Sequence, residues 1–275
     1  MKQFIKINEV DNHLNEGIDF NVEIHEISYN PSHEDNVDTS IENNPTYDMG
    51  IVPNMIVWFI FKRKVGLKGD GNPLIYALKN ERGWHFKSPA DKLNIEFQID
   101  QIAIKFAKMF PIGVTIIMPS SNSLNTWIAK IITSKSKNAK IIHGVVRKMT
   151  TEEAYTMAID DMNSSFRKFY NTSNKFNIAY DKFCDYLEEM DNKHDSDFTR
   201  HVIQDRKMRN VLDKTFKLSD KNYAKNANKI NGRDILIIDD TISRGQSLNE
   251  IYNIIKDSYA PKSIIAITLL SKLYN

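Results

Sequence analysis

The chain has 275 residues, 41% of them hydrophobic, with 37 basic and 35 acidic side chains. This balance of charge argues against binding to nucleic acid or to a membrane through bulk electrostatics, so any anion site must be local. The longest apolar runs, such as residues 55–61, are too short to span a bilayer, and we expect no signal peptide. The single cysteine, Cys184, excludes a disulfide within the chain, and we expect a cytoplasmic protein.

The first 70 residues are predicted to be rich in β-strands. β-branched and aromatic residues in partial alternation predict strands at residues 3–7, 21–29 and 51–63, with a polar loop at 30–44. A turn cluster with two glycines and a proline follows at residues 68–73. We therefore predict an N-terminal hood or partner domain at 1–70 and a second domain at 71–275.

The second domain is predicted to alternate helices with strands. Apolar spacing predicts helices at residues 73–79, 95–110, 127–132 and 246–258, and strands at 113–118, 141–146, 234–238 and 263–270. Residues 150–215 form a charged, mainly helical region, of which about 151–205 is predicted to be an insertion. Strands that alternate with helices favour an α/β fold with a mainly parallel sheet.

One stretch near the end of the chain carries the strongest chemical signal. Four apolar residues at 235–238 precede Asp239 and Asp240, and a short loop with Gly245 then leads into a helix. Ligands of open α/β sheets bind beyond the carboxyl ends of strands, and a helix N-terminus offers N–H groups to a phosphate. The two acids could accept hydrogen bonds from the hydroxyls of a ribose. Two alternatives stay open: an acidic turn that only caps the next helix, and a magnesium site without a ribose.

This stretch resembles the signature with which type I phosphoribosyltransferases bind 5-phosphoribosyl-1-pyrophosphate (PRPP). The resemblance is to the ComF-like members and covers roughly residues 73–275. It also includes residues 73–79 with Arg82-Gly83, 118–123, 146–150, and Arg209-Asn210 with Phe216. The chain lacks the zinc-binding cysteines of ComF-like proteins. It also lacks their Arg-Gly-Phe-Asn stretch, near whose place Ser123-Leu124-Asn125 stands.

The resemblance implies a role for each group of candidate residues. Asp239 and Asp240, the acid pair, would be catalytic and would hold the ribose. A phosphate loop would bind the 5-phosphate through Thr241, Ile242, Ser243, Arg244, Gly245, Gln246 and Ser247. A pyrophosphate loop would consist of Pro119, Ser120, Ser121, Asn122 and Ser123. Arg147 and Lys148 would cover the pyrophosphate from a flexible loop, with Arg206, Lys207 and Arg209 as alternatives. Mg²⁺ would be held mainly through PRPP and not by direct protein ligands.

The activity that the resemblance implies is displacement of pyrophosphate from PRPP by a small acceptor, namely a base, an amine or a nucleotide derivative. One alternative is a non-catalytic regulator that binds PRPP or a nucleotide, and another is an interaction protein whose insertion is the working surface. Fold analogy alone does not separate the enzyme from the regulator. We expect the aromatic residues of the insertion to lie in the core or in the contacts of a homodimer.

Overall fold

The structure is a computed structural model that describes residues 16–33, 36–64, 73–119, 123–161, 215–219, 223–242 and 244–272, with helical positions at 178, 181, 182 and 185. The strands with described bounds are β1 Gly17–Asn21, β2 Glu26–Asn30, β3 Val37–Asp38, β4 Thr46–Val52, β5 Met55–Arg63, β6 His85–Phe86, β7 Val114–Ile117, β8 Lys140–Ile142, β9 Val146–Lys148, β10 Phe216–Leu218, β11 Asp234–Thr241 and β12 Ser263–Leu270. The helices are α1 Pro73–Lys79, α2 Pro89–Met109, α3 Leu124–Lys135, α4 Thr151–Asp161, α5 Tyr223–Ile230 and α6 Gln246–Ser258.

A central sheet of seven strands organises the fold. Its order is β3-β5-β12-β11-β7-β8, and β4 also pairs with β5. The five strands from β5 to β8 run parallel to one another, whereas β3 and β4 lie antiparallel to β5. The predicted α/β fold with a mainly parallel sheet is therefore confirmed.

Two apolar clusters cover the two faces of this sheet. Leu236 and Ile238 of β11 pack in the cluster that contains buried residues of α2 and α3. Ile235 and Ile237 of the same strand pack in the cluster that contains buried residues of α6. Because successive side chains of a strand point to opposite faces, the four apolar residues at 235–238 are needed to bury β11 on both sides.

The order of the strands reverses between β7 and β11. The chain leaves β7 through α3 and returns to β8 on one side, whereas it leaves β11 through α6 and returns to β12 on the other side. Neighbouring parallel strands whose connections diverge in this way leave a crevice at their carboxyl ends, where α/β proteins bind ligands. The fold therefore places a crevice where β7 and β11 end.

The N-terminal region is only partly separate from this core. β1, β2 and β6 form a small sheet of their own, but β4 and β5 belong to the central sheet. The predicted boundary after residue 70 thus does not separate two sheets. Residues 65–72, which contain most of the predicted turn cluster, and the strand predicted at 3–7 lie outside the described residues.

Three predicted strands are interrupted, each at a residue with positive φ. The range predicted as one strand at 21–29 spans the last residue of β1, a turn that contains His25 and most of β2, and the strand predicted at 51–63 breaks at Asn54. The strand predicted at 141–146 ends at Ile142, before Gly144, and β9 then joins another sheet. Positive φ values are incompatible with an extended strand, and the apolar patterns gave no sign of them.

Several helices and strands agree closely with prediction. α1, α6 and β12 have the predicted bounds, whereas α2 and α3 are longer than predicted and β11 extends to Thr241. Helix α4 lies where the charged region was predicted to begin, and most of the insertion after it lies outside the described residues. The short strands β6 and β10 and helix α5 were not predicted, since few apolar residues mark them.

Two strands that flank the predicted insertion form a two-stranded ribbon. β9 and β10 pair antiparallel, with Lys148 opposite Phe216. Glu250 of α6 is buried, and its carboxylate accepts hydrogen bonds from the backbone N–H groups of Thr215 and Phe216, the latter at 2.6 Å. The ribbon is therefore fastened to the helix that follows the acid pair.

Candidate functional site

The acid pair lies at the carboxyl end of β11, in the crevice between β11 and β7. Both residues are half-buried. The backbone N–H of Asp240 donates to Oδ1 of Asp239 at 2.9 Å, and the Thr241 hydroxyl donates to Oδ1 of Asp240 at 3.1 Å. The carboxylates are therefore held next to each other by short-range contacts, at the position where a ligand of this fold binds.

Asp240 also forms an ion pair with Lys79, the last residue of α1. The Lys79 ammonium donates to Oδ2 of Asp240, and the two side chains are only 11% and 17% exposed. Sequence analysis assigned no role to Lys79, since a lysine in the last turn of a helix is ordinary on account of the helix dipole. The fold brings this cation into the crevice from 161 residues away in sequence.

The environment of Asp239 favours its protonated form. Burial of the carboxyl group is the largest cause, the charge of Asp240 is the second, and together they raise the pKa of Asp239 to about 7. The N–H of Asp240, the charge of Lys79 and the amide of Asn125 act in the opposite direction. Although part of Asp239 is exposed, its carboxyl group is buried. We therefore expect this carboxyl group to lose its proton near neutral pH.

Asn125 is a site residue that the sequence did not assign. It lies in the first turn of α3, it is fully buried, and neither polar atom of its amide has a hydrogen-bond partner in the part of the chain that the structure describes. The amide lies close enough to lower the pKa of Asp239 but does not form a hydrogen bond of normal geometry with it. Buried polar atoms of folded proteins nearly always have a partner, so this amide is suited to contact a ligand or a water molecule.

The phosphate loop joins the acid pair to α6 through Gly245. This glycine is the N-cap residue of α6, with φ 73° and ψ 2° in the left-handed region, and it has no side chain with which to cap the helix. A Cβ at Gly245 would lie 2.7 Å from Cγ2 of Ile51 and 2.8 Å from its carbonyl oxygen. Glycine is therefore required here for its conformation and for the close approach of β4. A helix N-terminus whose N-cap residue provides no side-chain cap is suited to an anion.

The other residues of the phosphate loop differ in exposure. Ile242 is buried, Arg244 and Gln246 are exposed, and Ser247 is half-buried, whereas Ser243 lies outside the described residues. The start of the loop is held by Arg63, a buried residue at the end of β5, whose guanidinium donates to the carbonyl of Ile242 at 3.2 Å and to that of Ser271. This contact fixes the direction in which the chain leaves the acid pair.

The predicted pyrophosphate loop begins beside the acid pair. The N–H of Met118 donates to the carbonyl of Ile238 at 3.0 Å, so the chain follows β11 up to the residue before Asp239. Ser123 precedes α3, and its carbonyl accepts from the N–H of Trp127 at 2.9 Å. Pro119 and Ser123 are described, whereas Ser120, Ser121 and Asn122 lie outside the described residues. The start of this loop thus lies next to the last residue of β11 before the acid pair.

Arg147 forms an ion pair with Glu153, at the start of α4. Its guanidinium donates to both carboxylate oxygens of Glu153, at 2.6 and 2.7 Å, and Lys217 lies 3.2 Å from the same carboxylate. The bidentate hydrogen bonds from Arg147 are the largest cause that lowers the pKa of Glu153 to about 2. Lys148 is half-buried on the same strand, and the alternative cations Arg206, Lys207 and Arg209 lie outside the described residues.

Comparisons with known proteins give no family for this chain. No protein-family model matches it, and no curated protein has a matching sequence. Within the described ranges, no helix has the length and apolar character needed to cross a membrane. The same part of the chain contains no group of three or more side chains suited to hold a metal ion. Any functional conclusion therefore depends on the geometry of the crevice.

The ion pair of Glu153 gives a prediction for the ribbon region. Glu153→Gln is expected to lower the free energy of unfolding by about 1–2 kcal/mol at pH 7, since Arg147 loses a charged partner. Because the folded pKa of Glu153 lies below its ordinary value of 4.5, this contribution is present above pH 4.5 and is lost as the pH falls toward 2. Urea unfolding at pH 7 and pH 3 measures the difference.

The neighbouring Glu152 is exposed and gives a matched control. Glu152→Gln is expected to change the free energy of unfolding by less than about 0.5 kcal/mol at either pH. Equal losses from the two variants at pH 7 would show that Glu153 contributes no more than an ordinary surface charge.

Proposed function

We propose that this chain is a phosphoribosyltransferase that binds PRPP with Mg²⁺ and transfers the phosphoribosyl group to a small acceptor. One observation supports the proposal: the acid pair, the start of the pyrophosphate loop and the loop that leads into α6 all follow the carboxyl ends of β7 and β11, where the connections of the two strands diverge. Two adjacent carboxylates suit a vicinal diol, and a helix N-terminus suits a phosphate. A ribose 5-phosphate unit carries both groups, one at each end of the sugar.

The residues of the crevice bind and orient in this mechanism, and no protein nucleophile is needed. The acid pair accepts hydrogen bonds from the 2- and 3-hydroxyls, and the N–H groups of the phosphate loop donate to the 5-phosphate. The bond from C1 to the pyrophosphate oxygen breaks, and pyrophosphate leaves with the electron pair as the acceptor forms its bond to C1. The carboxylates stabilise the positive charge that develops on the sugar ring.

Proton transfer is a second task for the acid pair. An acceptor that attacks through N–H or O–H releases a proton, and an efficient general base has a pKa near the working pH. The pKa of Asp239, raised to about 7, meets this condition. Two carboxylates suit Mg²⁺ poorly as a complete site, because this ion prefers six oxygens, so ligand and water oxygens would complete its shell. When bound, the ion would offset the charge on pyrophosphate.

The test is isothermal titration of PRPP with Mg²⁺ into the wild-type chain and into Asp239→Asn/Asp240→Asn. We expect micromolar binding by the wild type and a loss of at least about a hundredfold in the variant, since each neutral amide weakens a charge-assisted hydrogen bond. Asp234→Asn, at the opposite end of β11, is the control and should bind normally. A folded wild-type chain that does not bind PRPP would overturn the proposal.

Pyrophosphate release then separates an enzyme from a regulator. We expect release from PRPP in the presence of one of a panel of bases, amines and nucleotide derivatives. Tight binding with no release for any acceptor would favour the non-catalytic regulator, which would use the same residues.

A further inference from the structure

The side-chain amide of Asn125 is a buried polar group that lies next to the acid pair. Asn125 belongs to the first turn of α3 and is fully buried. Neither Nδ2 nor Oδ1 has a hydrogen-bond partner among the residues that the structure describes. Burial of an amide without a partner is costly, and such groups in folded proteins nearly always pair with protein or with water. The amide of Asn125 therefore requires a partner within its reach.

The carboxyl group of Asp239 is within reach of this amide. Burial and then the charge of Asp240 raise the pKa of Asp239 to about 7, and a hydrogen bond from the Asn125 amide is among the contacts that act in the opposite direction. The geometry falls short of a normal hydrogen bond, so the two groups are adjacent but not fixed to each other. An amide N–H donates to a carboxylate, and such a charge-assisted hydrogen bond is about twice as strong as a neutral one. The contact therefore favours the ionised carboxyl.

The other groups that favour ionised Asp239 differ from Asn125 in kind. The backbone N–H of Asp240 donates to Oδ1 of Asp239, and no side-chain substitution removes it. The Lys79 ammonium donates to Asp240 and acts on Asp239 through its charge. Among these groups, Asn125 is thus the one whose side chain can donate directly to Asp239. A carboxylate accepts about four hydrogen bonds, so the amide and a ligand hydroxyl can be bound at the same time.

We propose that Asn125 is a positioning residue of the acid pair, whose amide N–H donates to the carboxylate of Asp239 and holds it in place at the crevice. The consequence for binding rests on the proposed function, in which this carboxylate accepts a hydrogen bond from the ribose. The contact itself does not depend on which ligand binds. Without the amide, the carboxyl group keeps its proton to higher pH, and a protonated carboxyl accepts hydrogen bonds more weakly.

Carbon-13 NMR titration of the Asp239 carboxyl in the full chain tests the contact. Asn125→Leu replaces the amide by an apolar group of similar size. We expect it to raise the pKa of Asp239 by about one unit or more, since a hydrogen bond to a charged group is lost. Asn125→Ala lacks the same amide and should shift the pKa in the same direction.

Asn226→Leu is the matched control for this titration. Asn226 is also buried, and its amide nitrogen has no partner in the described part of the chain, but it lies in α5, beside Tyr259. The control should leave the pKa of Asp239 unchanged.

Isothermal titration of PRPP with Mg²⁺ between pH 6 and pH 9 tests the consequence for binding. We expect the affinity of Asn125→Leu to be severalfold below that of the wild type at pH 7 and to recover as the pH rises, because Asp239 then ionises in both proteins. A purely structural role for Asn125 would instead weaken binding equally at every pH.

Each outcome decides for or against the assignment. An unchanged pKa of Asp239 in both Asn125 variants would overturn it, and so would an equal shift in Asn226→Leu or a loss of PRPP affinity that does not depend on pH. A wild-type chain that does not bind PRPP, together with a shifted pKa in the Asn125 variants, would remove the proposed function and leave the contact standing. Thermal unfolding of each variant confirms that it is folded.

Discussion

Asp239→Asn is expected to make the protein more stable at pH 8 while it weakens the proposed binding of PRPP. The folded protein raises the pKa of Asp239 from 3.8 to about 7, chiefly through burial and the nearby charge of Asp240. An ionised Asp239 is thus a cost to the folded state, and a neutral amide avoids it. The free energy of unfolding at pH 8 is therefore expected to be higher for the variant than for the wild type, by on the order of a few kcal/mol.

The raised pKa of Asp239 determines how the stability of the wild type changes with pH. Between pH 4 and pH 7 the folded state keeps the proton of Asp239 and the unfolded chain releases it, so wild-type stability falls as the pH rises through this window. The variant has no such group and should lack this fall. The difference between variant and wild type is therefore expected to grow from near zero at pH 4 to its full value above pH 7.

Urea unfolding of both proteins at pH 4, 5, 6, 7 and 8 measures this difference. Asp234→Asn is the matched control, because Asp234 lies on the same strand and forms an exposed ion pair with Lys262. It is expected to be neutral or slightly destabilising, with no growth toward alkaline pH. A wild-type chain that is as stable as Asp239→Asn at pH 8 would show that the crevice does not disfavour the ionised carboxyl.

Gly245→Ala is expected to lower the free energy of unfolding by about 3 kcal/mol or more. A residue with a side chain costs about 1–2 kcal/mol in the left-handed region, and a forced contact inside a packed region adds about 1–3 kcal/mol. The contact is certain to be forced, because the new Cβ would meet the backbone carbonyl of Ile51, which is part of β4. Chemical denaturation measures the loss.

A substitution at Gly232 distinguishes the conformational cost of positive φ from the cost of the forced contact. It has φ 69°, close to that of Gly245, but an added Cβ would meet no atom within 4 Å. Gly232→Ala should therefore cost only the conformational part, about 1–2 kcal/mol. If both variants lose the same free energy, β4 does not press against the phosphate loop, and the close approach at Gly245 contributes nothing.

The local pattern of the sequence was enough to predict the segments that carry the site. The four apolar residues at 235–238 predicted β11 because a strand between two layers of helices must be apolar on both faces. The helix after Gly245 has the predicted bounds for a similar reason, since its buried residues recur at helical spacing. Alternation of strands and helices was likewise enough to predict the parallel sheet.

The contacts that complete the site were not predictable in the same way. The ion pair of Lys79 with Asp240 depends on where α1 lies relative to β11, and no periodicity in the chain carries that information. The same is true of Asn125, whose burial beside Asp239 follows from the packing of α3 on the sheet. The pairing of β5 with β12 was also missed, because a boundary placed at a turn cluster does not show which strands meet across it.

The ribbon of β9 and β10 lets the segment between its two strands vary in length without affecting the core. Its two ends, Lys148 and Phe216, face each other as an antiparallel pair, with Cα atoms roughly 5 Å apart. A segment that begins and ends at adjacent points adds little constraint to the core, because the entropic cost of closing a loop grows only slowly with its length. With Glu250 fastening the returning strand, helical segments of very different length could be exchanged at this position during evolution without a change in the register of the central sheet.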